Sequence, residues 1–310
     1  MIFLFFLPLI LLVGYFCIAF FVNAAMFKPY KKIKPSSDGR KVIFPSGRNR
    51  LAGYLWNESG TRGLIVFAHG MGTGIGYYLP EIHHFAAQGY KVFAFEYSGY
   101  PGSSGHFYGF PQAVTDLKNA LDFIDDGSLP VILMGHSMGA YAVCALRHNK
   151  PVTGIVAYAP FSSPREAMIA EAIGRNRKGG KLLCALILPT QHILFGRECN
   201  PTAIAGLSRA NVPTLVLQGS EDREVTPDGC ALYAHRGELS DVPVTFRLIG
   251  EKGSDGHMTV IRKKDSQTVN EDTVRYVDAF LDAILPDETC QTHVTTIRSE
   301  IGTEPTALEK

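Results

Sequence analysis

The chain has 310 residues, 46% hydrophobic and 19% charged, with a formal net charge of +1. That balance gives no electrostatic case for a nucleic-acid partner, and the length suits one large core rather than two generous ones. Six cysteines are scattered without C-x-x-C pairs, which indicates neither a disulfide framework nor a structural zinc site; no metal or cofactor is expected, and a reducing compartment suits the thiols best.

In chain order, Met1 to Val22 carries no charged side chain. At about 1.5 Å per residue it reaches roughly 33 Å, enough for a hydrocarbon core of about 30 Å. Residues 1–25 therefore read as a single-pass transmembrane helix. A cleaved signal peptide is the rival, with Val22-Asn23-Ala24 open to a peptidase, but the stretch is long for one and lacks a basic leader. Residues 26–40 form a basic linker, with Lys28, Lys31, Lys32, Lys34 and Arg40 against Asp38. The positive-inside bias places the remainder of the chain on the cytoplasmic face; the same lysines could instead hold anionic headgroups or simply solvate the linker. The sequon at Asn57-Glu58-Ser59 would matter only in a secretory lumen.

Residues 41–286 read as one α/β domain. Lys41 to Phe44 and Leu51 to Trp56 form a hairpin around Pro45-Ser46-Gly47 at a sheet edge. Short apolar runs follow at Leu64–Ala68, Val92–Phe95, Val131–Met134, Gly154–Tyr158, Thr214–Leu217 and Val244–Leu248. Helical patterns separate them at Leu79–Gln88, Gln112–Phe123, Met138–Arg147, Asp228–His235 and Glu271–Leu285. This alternation predicts a mostly parallel eight-stranded sheet with helices on both faces. The roughly fifty residues between Tyr158 and Thr214 exceed an ordinary connection of about 4–6 residues. They read as an inserted cap over about 161–211. Its Leu- and Ile-rich Lys181–Phe195 portion could line an apolar pocket, touch a membrane behind the basic Arg175, Arg177, Lys178 and Lys181, or pack on the core. Residues 287–310 are polar and aperiodic, as expected of a mobile tail.

Gly135-His136-Ser137-Met138-Gly139 follows the Val131–Met134 strand directly. A chain with 31 glycines can hold such a pentapeptide by composition, so its setting decides: between strand and helix, G-x-S-x-G forces a sharp turn that lifts a serine hydroxyl above the sheet. Serine needs a base, an acid to orient that base, and amide donors for an oxyanion. His257, in the Gly253-Ser254-Asp255-Gly256-His257 loop after the final strand, is the base candidate; a solvated loop histidine is the alternative. Asp222 lies in the turn after Thr214–Leu217, with Glu221 and Glu224 as secondary candidates expected to be solvated. The order Ser137, Asp222, His257 is the serine, acid, histidine order of this strand-turn-helix architecture. The oxyanion donors are then the backbone amides of Met138 and Met71, the latter in the loop His69-Gly70-Met71-Gly72, where His69 and Gly70 support the loop.

At these residues the chain resembles the α/β-hydrolase superfamily, particularly membrane-anchored members that look like monoacylglycerol lipases and acyl-protein thioesterases. The resemblance spans about Lys41 to Leu285. Glu96-Tyr97-Ser98-Gly99-Tyr100-Pro101-Gly102-Ser103-Ser104-Gly105 is similar to the family's D-Y-R-G-Y-G-x-S-x-G stretch, departing at Glu96, Ser98 and Pro101. The resemblance implies a membrane-anchored serine hydrolase acting on lipid or other acyl esters through an acyl-serine, whose partners are the bilayer and an acyl-containing or lipidated substrate. A thioesterase, a serine peptidase and a non-catalytic membrane-tethered binding protein are the alternatives; no protein partner can be named.

Overall fold

The structure, a computed structural model, describes residues 2–29, 38–125, 127–174, 180–264 and 267–285. Lys31, Lys32 and Lys34 of the expected linker, the basic Arg175, Arg177 and Lys178, and the tail from Asp287 lie outside the described residues.

Eight strands form one sheet: β1 Arg40–Ser46, β2 Asn49–Trp56, β3 Leu64–Ala68, β4 Lys91–Phe95, β5 Val131–His136, β6 Gly154–Tyr158, β7 Thr214–Gly219 and β8 Val244–Ile249. Their spatial order is β1-β2-β4-β3-β5-β6-β7-β8. β1, β2 and β4 pair antiparallel in turn, and every ladder from β4 to β8 is parallel. Strands buried on both faces need apolar side chains at successive positions, and β3 and β6 are buried at every residue. Period-two geometry then sorts them. Leu64, Val66, Phe93, Phe95 and Leu133 pack on one face with α3 (Phe110–Ile124) and α4 (Met138–Ala145). Ile65, Phe67, Val92, Ala94 and Ile132 pack on the other with α2 (Leu79–Ala87) and α8 (Glu271–Ile284). Full burial of each Val, Leu, Ile or Phe side chain among them stabilises by about 1.5–3 kcal/mol.

α8 shows how local sequence sets an element. The Asn270 side chain accepts the Asp272 amide, Glu271 and Asp272 face the positive end of the helix dipole, and Val274, Val277 and Leu281 recur at helical spacing on the buried side. The expected helix over Asp228–His235 is a correction. After Pro227 the Gly229 amide closes a turn on the Thr226 carbonyl, and Ala231 is held extended in an antiparallel bridge with Phe161. Helical geometry starts only at Leu232, as a 3-10 helix to Leu239.

Between β6 and β7 run α5 (Pro164–Gly174), α6 (Gly180–Phe195) and α7 (Ala203–Ala210). Cys184 and Ile187 of α6 are buried, whereas Ile193 and Leu194 are exposed. At the N-terminus α1 (Ile2–Met26) is 25 residues long, and its Phe6–Met26 portion is long and apolar enough to cross a membrane. α1 packs beside α6, where the Tyr15 hydroxyl donates to the Ala185 carbonyl. Ala19, Asn23 and Phe27 at its carboxyl end are buried in the body of the protein.

Candidate active site

The nucleophile candidate sits where β5 turns into α4. Ser137 has φ 53° and ψ −117°, a conformation costing on the order of 1–3 kcal/mol and stable only where the surroundings impose it. They do: the Ser137 amide donates to the Tyr158 carbonyl of β6 and its carbonyl accepts from the Tyr141 amide. A Cβ on Gly139 would lie 2.0 Å from the Ala68 carbonyl oxygen, and one on Gly135 would lie 2.5 Å from the Gly139 carbonyl carbon. Both glycines are therefore steric requirements of the bend.

The base and acid candidates come from neighbouring loops after β8 and β7. The Glu221 amide donates to the Asp255 carbonyl, and a side chain on Gly219 would strike the same carbonyl at 2.4 Å, so the two loops lie flush. His257 Nε2 stands 2.9 Å from Ser137 Oγ and its Nδ1 2.8 Å from Asp222 Oδ2. Asp222 Oδ1 accepts the amides of Glu224 and Val225, and Oδ2 also accepts from Gln218 Nε2. A carboxylate so held accepts a hydrogen bond from Nδ1–H of the imidazole, which keeps the proton on Nδ1 and leaves Nε2 to accept from the serine hydroxyl. Burial lowers the proton affinity of His257, but the hydrogen bond and charge of Asp222, with the charge of Glu224, outweigh it and raise its pKa above 6.5.

The candidate oxyanion loop is fastened by buried side chains. The Gly70 and Gly72 amides are taken by the hydroxyls of Tyr78 and Tyr100, both at 3.0 Å, leaving the intervening Met71 amide without an acceptor among the described residues. The Met138 amide opens α4 and has no intrahelical acceptor. His69 is buried, with Nδ1 2.7 Å from the Gly70 carbonyl and Nε2 3.3 Å from Glu96 Oε2. Glu96 Oε1 also receives the Ile75 amide. Ser98, at another departure from the family stretch, donates to buried Asp116 through both its amide and its hydroxyl.

Ser137, His257 and Asp222 are thus brought together, with Met138 adjoining and Met71 on the neighbouring loop. Other histidines are engaged elsewhere: His83 with Asp38, His84 with Asp278, and His235 with Glu166 and Glu238. Sequence reasoning missed Gln218 and Tyr78, which no motif marks. It also set Glu224 aside as a solvated charge; Glu224 is 68% exposed, yet its Oε2 lies 3.8 Å from His257 Nε2. Among the described residues no group of three or more His, Cys, Asp or Glu could hold a metal ion.

Comparison with known proteins agrees with this architecture. The family described as serine aminopeptidase, S33, matches residues 59–190, a stretch that contains Ser137 and ends before Asp222 and His257. A monoacylglycerol lipase of Mycolicibacterium smegmatis is 25% identical over 233 residues, covering 63% of this chain and 83% of its own. Among solved structures, an esterase of Pyrococcus furiosus superposes with a TM-score of 0.64 at 17% identity, covering 84% of this chain and 97% of that one. An alpha-beta serine hydrolase homologue from Coxiella burnetii gives 0.52 at 14% identity, covering 81% and 100%. By its strand order, its strand-turn-helix serine and these likenesses, the chain has the α/β-hydrolase fold and is similar to serine hydrolases built on it.

Proposed function

We propose that the protein is a membrane-anchored serine hydrolase that cleaves carboxylic esters of lipid or other acyl groups through an acyl-serine intermediate. The observation that carries this reading is the hydrogen-bonded series Ser137 Oγ, His257 Nε2, His257 Nδ1 and Asp222 Oδ2, with steps of 2.9 and 2.8 Å. His257 takes the Ser137 proton as Oγ bonds to the acyl carbon. The Met71 and Met138 amides hold the resulting oxyanion. As the tetrahedral species collapses, the bond to the leaving group breaks and His257 Nε2 protonates that group. Water, deprotonated by the same nitrogen, then releases the acid and restores Ser137.

A largely apolar cavity of about 350 Å³ between α5 and the acid-bearing turn, lined by Glu166, Ile169, Ala170, Glu224 and Cys230, supports an acyl substrate. The names of the lipase and esterase relatives point the same way. Esters rank first, thioesters second and peptides third. α1 supplies the anchor, and the lysines after it favour a cytoplasmic catalytic domain. Fluorophosphonate labelling tests the core of this reading: wild type labels, and folded Ser137→Ala does not. Normal labelling of that variant would refute it. Protease accessibility in sealed vesicles tests the orientation.

A further inference from the structure

We propose that His136 and Tyr78 are positioning residues, joining the oxyanion loop to the backbone of the base through one hydrogen-bonded chain of fixed polarity. The proposal rests on the reading of Ser137, His257 and Met71 given above. His136 Nε2 lies 2.9 Å from the His257 carbonyl oxygen, and its Nδ1 2.9 Å from the Tyr78 hydroxyl. A carbonyl only accepts, so Nε2 carries the proton. Burial, with the charge of neighbouring His257, drives His136 down to about 3, so the ring is neutral and Nδ1 is an acceptor. The Tyr78 O–H therefore donates to Nδ1, and its oxygen accepts the Gly70 amide at 3.0 Å. Thr73 Oγ1 donates to the Gly70 carbonyl.

Every proton in the chain is thereby assigned. It runs from Gly70 N–H to Tyr78 O–H to His136 Nε2–H to the His257 carbonyl, through fully buried side chains. Moving the His136 proton to Nδ1 would set the Nε2 lone pair against the His257 carbonyl oxygen, leaving two buried acceptors face to face. The chain begins one residue before the Met71 donor, passes through the residue before Ser137, and ends on the peptide that carries the base. These are the three parts a reacting carbonyl must meet together, in a constellation that tolerates errors of only about 0.5 Å.

The test is steady-state hydrolysis of a p-nitrophenyl acyl ester by Tyr78→Phe, His136→Leu and His136→Gln, beside wild type and Ser137→Ala, with melting temperature as the measure of folding. We expect Tyr78→Phe to lose about 10- to 100-fold in kcat with KM within about twofold, the signature of misplaced reacting groups. His136→Gln keeps an N–H for the His257 carbonyl and should exceed His136→Leu by at least about tenfold. A merely structural role would lower the melting temperature of both His136 variants and leave kcat per folded molecule alike. Folded Tyr78→Phe turning over within about twofold of wild type overturns the proposal, as do equal kcat losses in the two His136 variants. Should His136→Leu not fold, Tyr78→Phe decides. Hydrolysis by Ser137→Ala would instead overturn the nucleophile reading, whereas an inactive Ser137→Ala beside an unimpaired Tyr78→Phe overturns the positioning role alone.

Discussion

His257 faces two carboxylates from different directions: Asp222 at Nδ1 and Glu224 near Nε2. Both favour the imidazolium, and together they lift the histidine above 6.5 against its burial. In the proposed role of general base His257 works only when neutral, so kcat/KM should rise with pH along a limb displaced upward from 6.5. Glu224→Gln removes one of the raising charges and should move that limb to lower pH; an unmoved limb would show that Glu224 is screened by solvent. Asp222→Asn should reduce kcat on the order of 10³- to 10⁴-fold while the protein stays folded. His136 makes a separate prediction, for stability. Its folded pKa of about 3 lies below the ordinary 6.5, so the unfolded chain binds the proton first. Stability should therefore fall as pH drops through 6.5 towards 3. His136→Gln should flatten that dependence in urea titrations across the acid range.

At the scale of elements, the helices between β6 and β7 meet the rest of the domain through backbone contact as well as side chains. A Cβ on Gly206 of α7 would lie 2.1 Å from the Cys144 carbonyl oxygen of α4, whereas Gly237 in the 3-10 helix has nothing within 4 Å. Gly206→Ala should thus cost about 1–3 kcal/mol or more in thermal unfolding, and Gly237→Ala close to nothing. The sheet was legible because a strand buried on both faces reads as an apolar run. Leu64–Ala68 and Gly154–Tyr158 match β3 and β6 residue for residue. β5 runs two residues further than its apolar stretch because Gly135 and His136 continue the ladder without continuing the hydrophobicity. The Asp228–His235 pattern misled because Phe161, far away in sequence, holds Ala231 extended. The same limit applies at the site. Ser137 adjoins a strand end, and Asp222 and His257 lie in the loops that follow β7 and β8, so all three could be nominated. Tyr78 reaches His136 across 58 residues of chain, and nothing local in the sequence points from one to the other.

For the whole molecule, the N-terminal helix belongs to the fold at one end. Phe27 makes edge contacts with Phe107 and Phe110 at centroid distances of 6.2 and 5.1 Å and is 1% exposed. Phe27→Ala should cost about 3–5 kcal/mol, measured in detergent where any membrane contribution is removed. A chain beginning at Ala25 keeps Phe27 and should unfold at a higher temperature than one beginning at Pro29.

The β6–β7 ladder, from Ile155 opposite Thr214 to Tyr158 opposite Leu217, joins two parts of the chain that the cap helices separate in sequence. Everything up to β6 carries Ser137 and the Met71 loop; everything from β7 carries Asp222 and His257, already docked on each other. For the proposed hydrolase, that layout is a natural split. Expressed as two polypeptides divided between β6 and β7, neither half should turn over an ester, and activity would report on their reassembly across that ladder and the Phe161–Ala231 bridge.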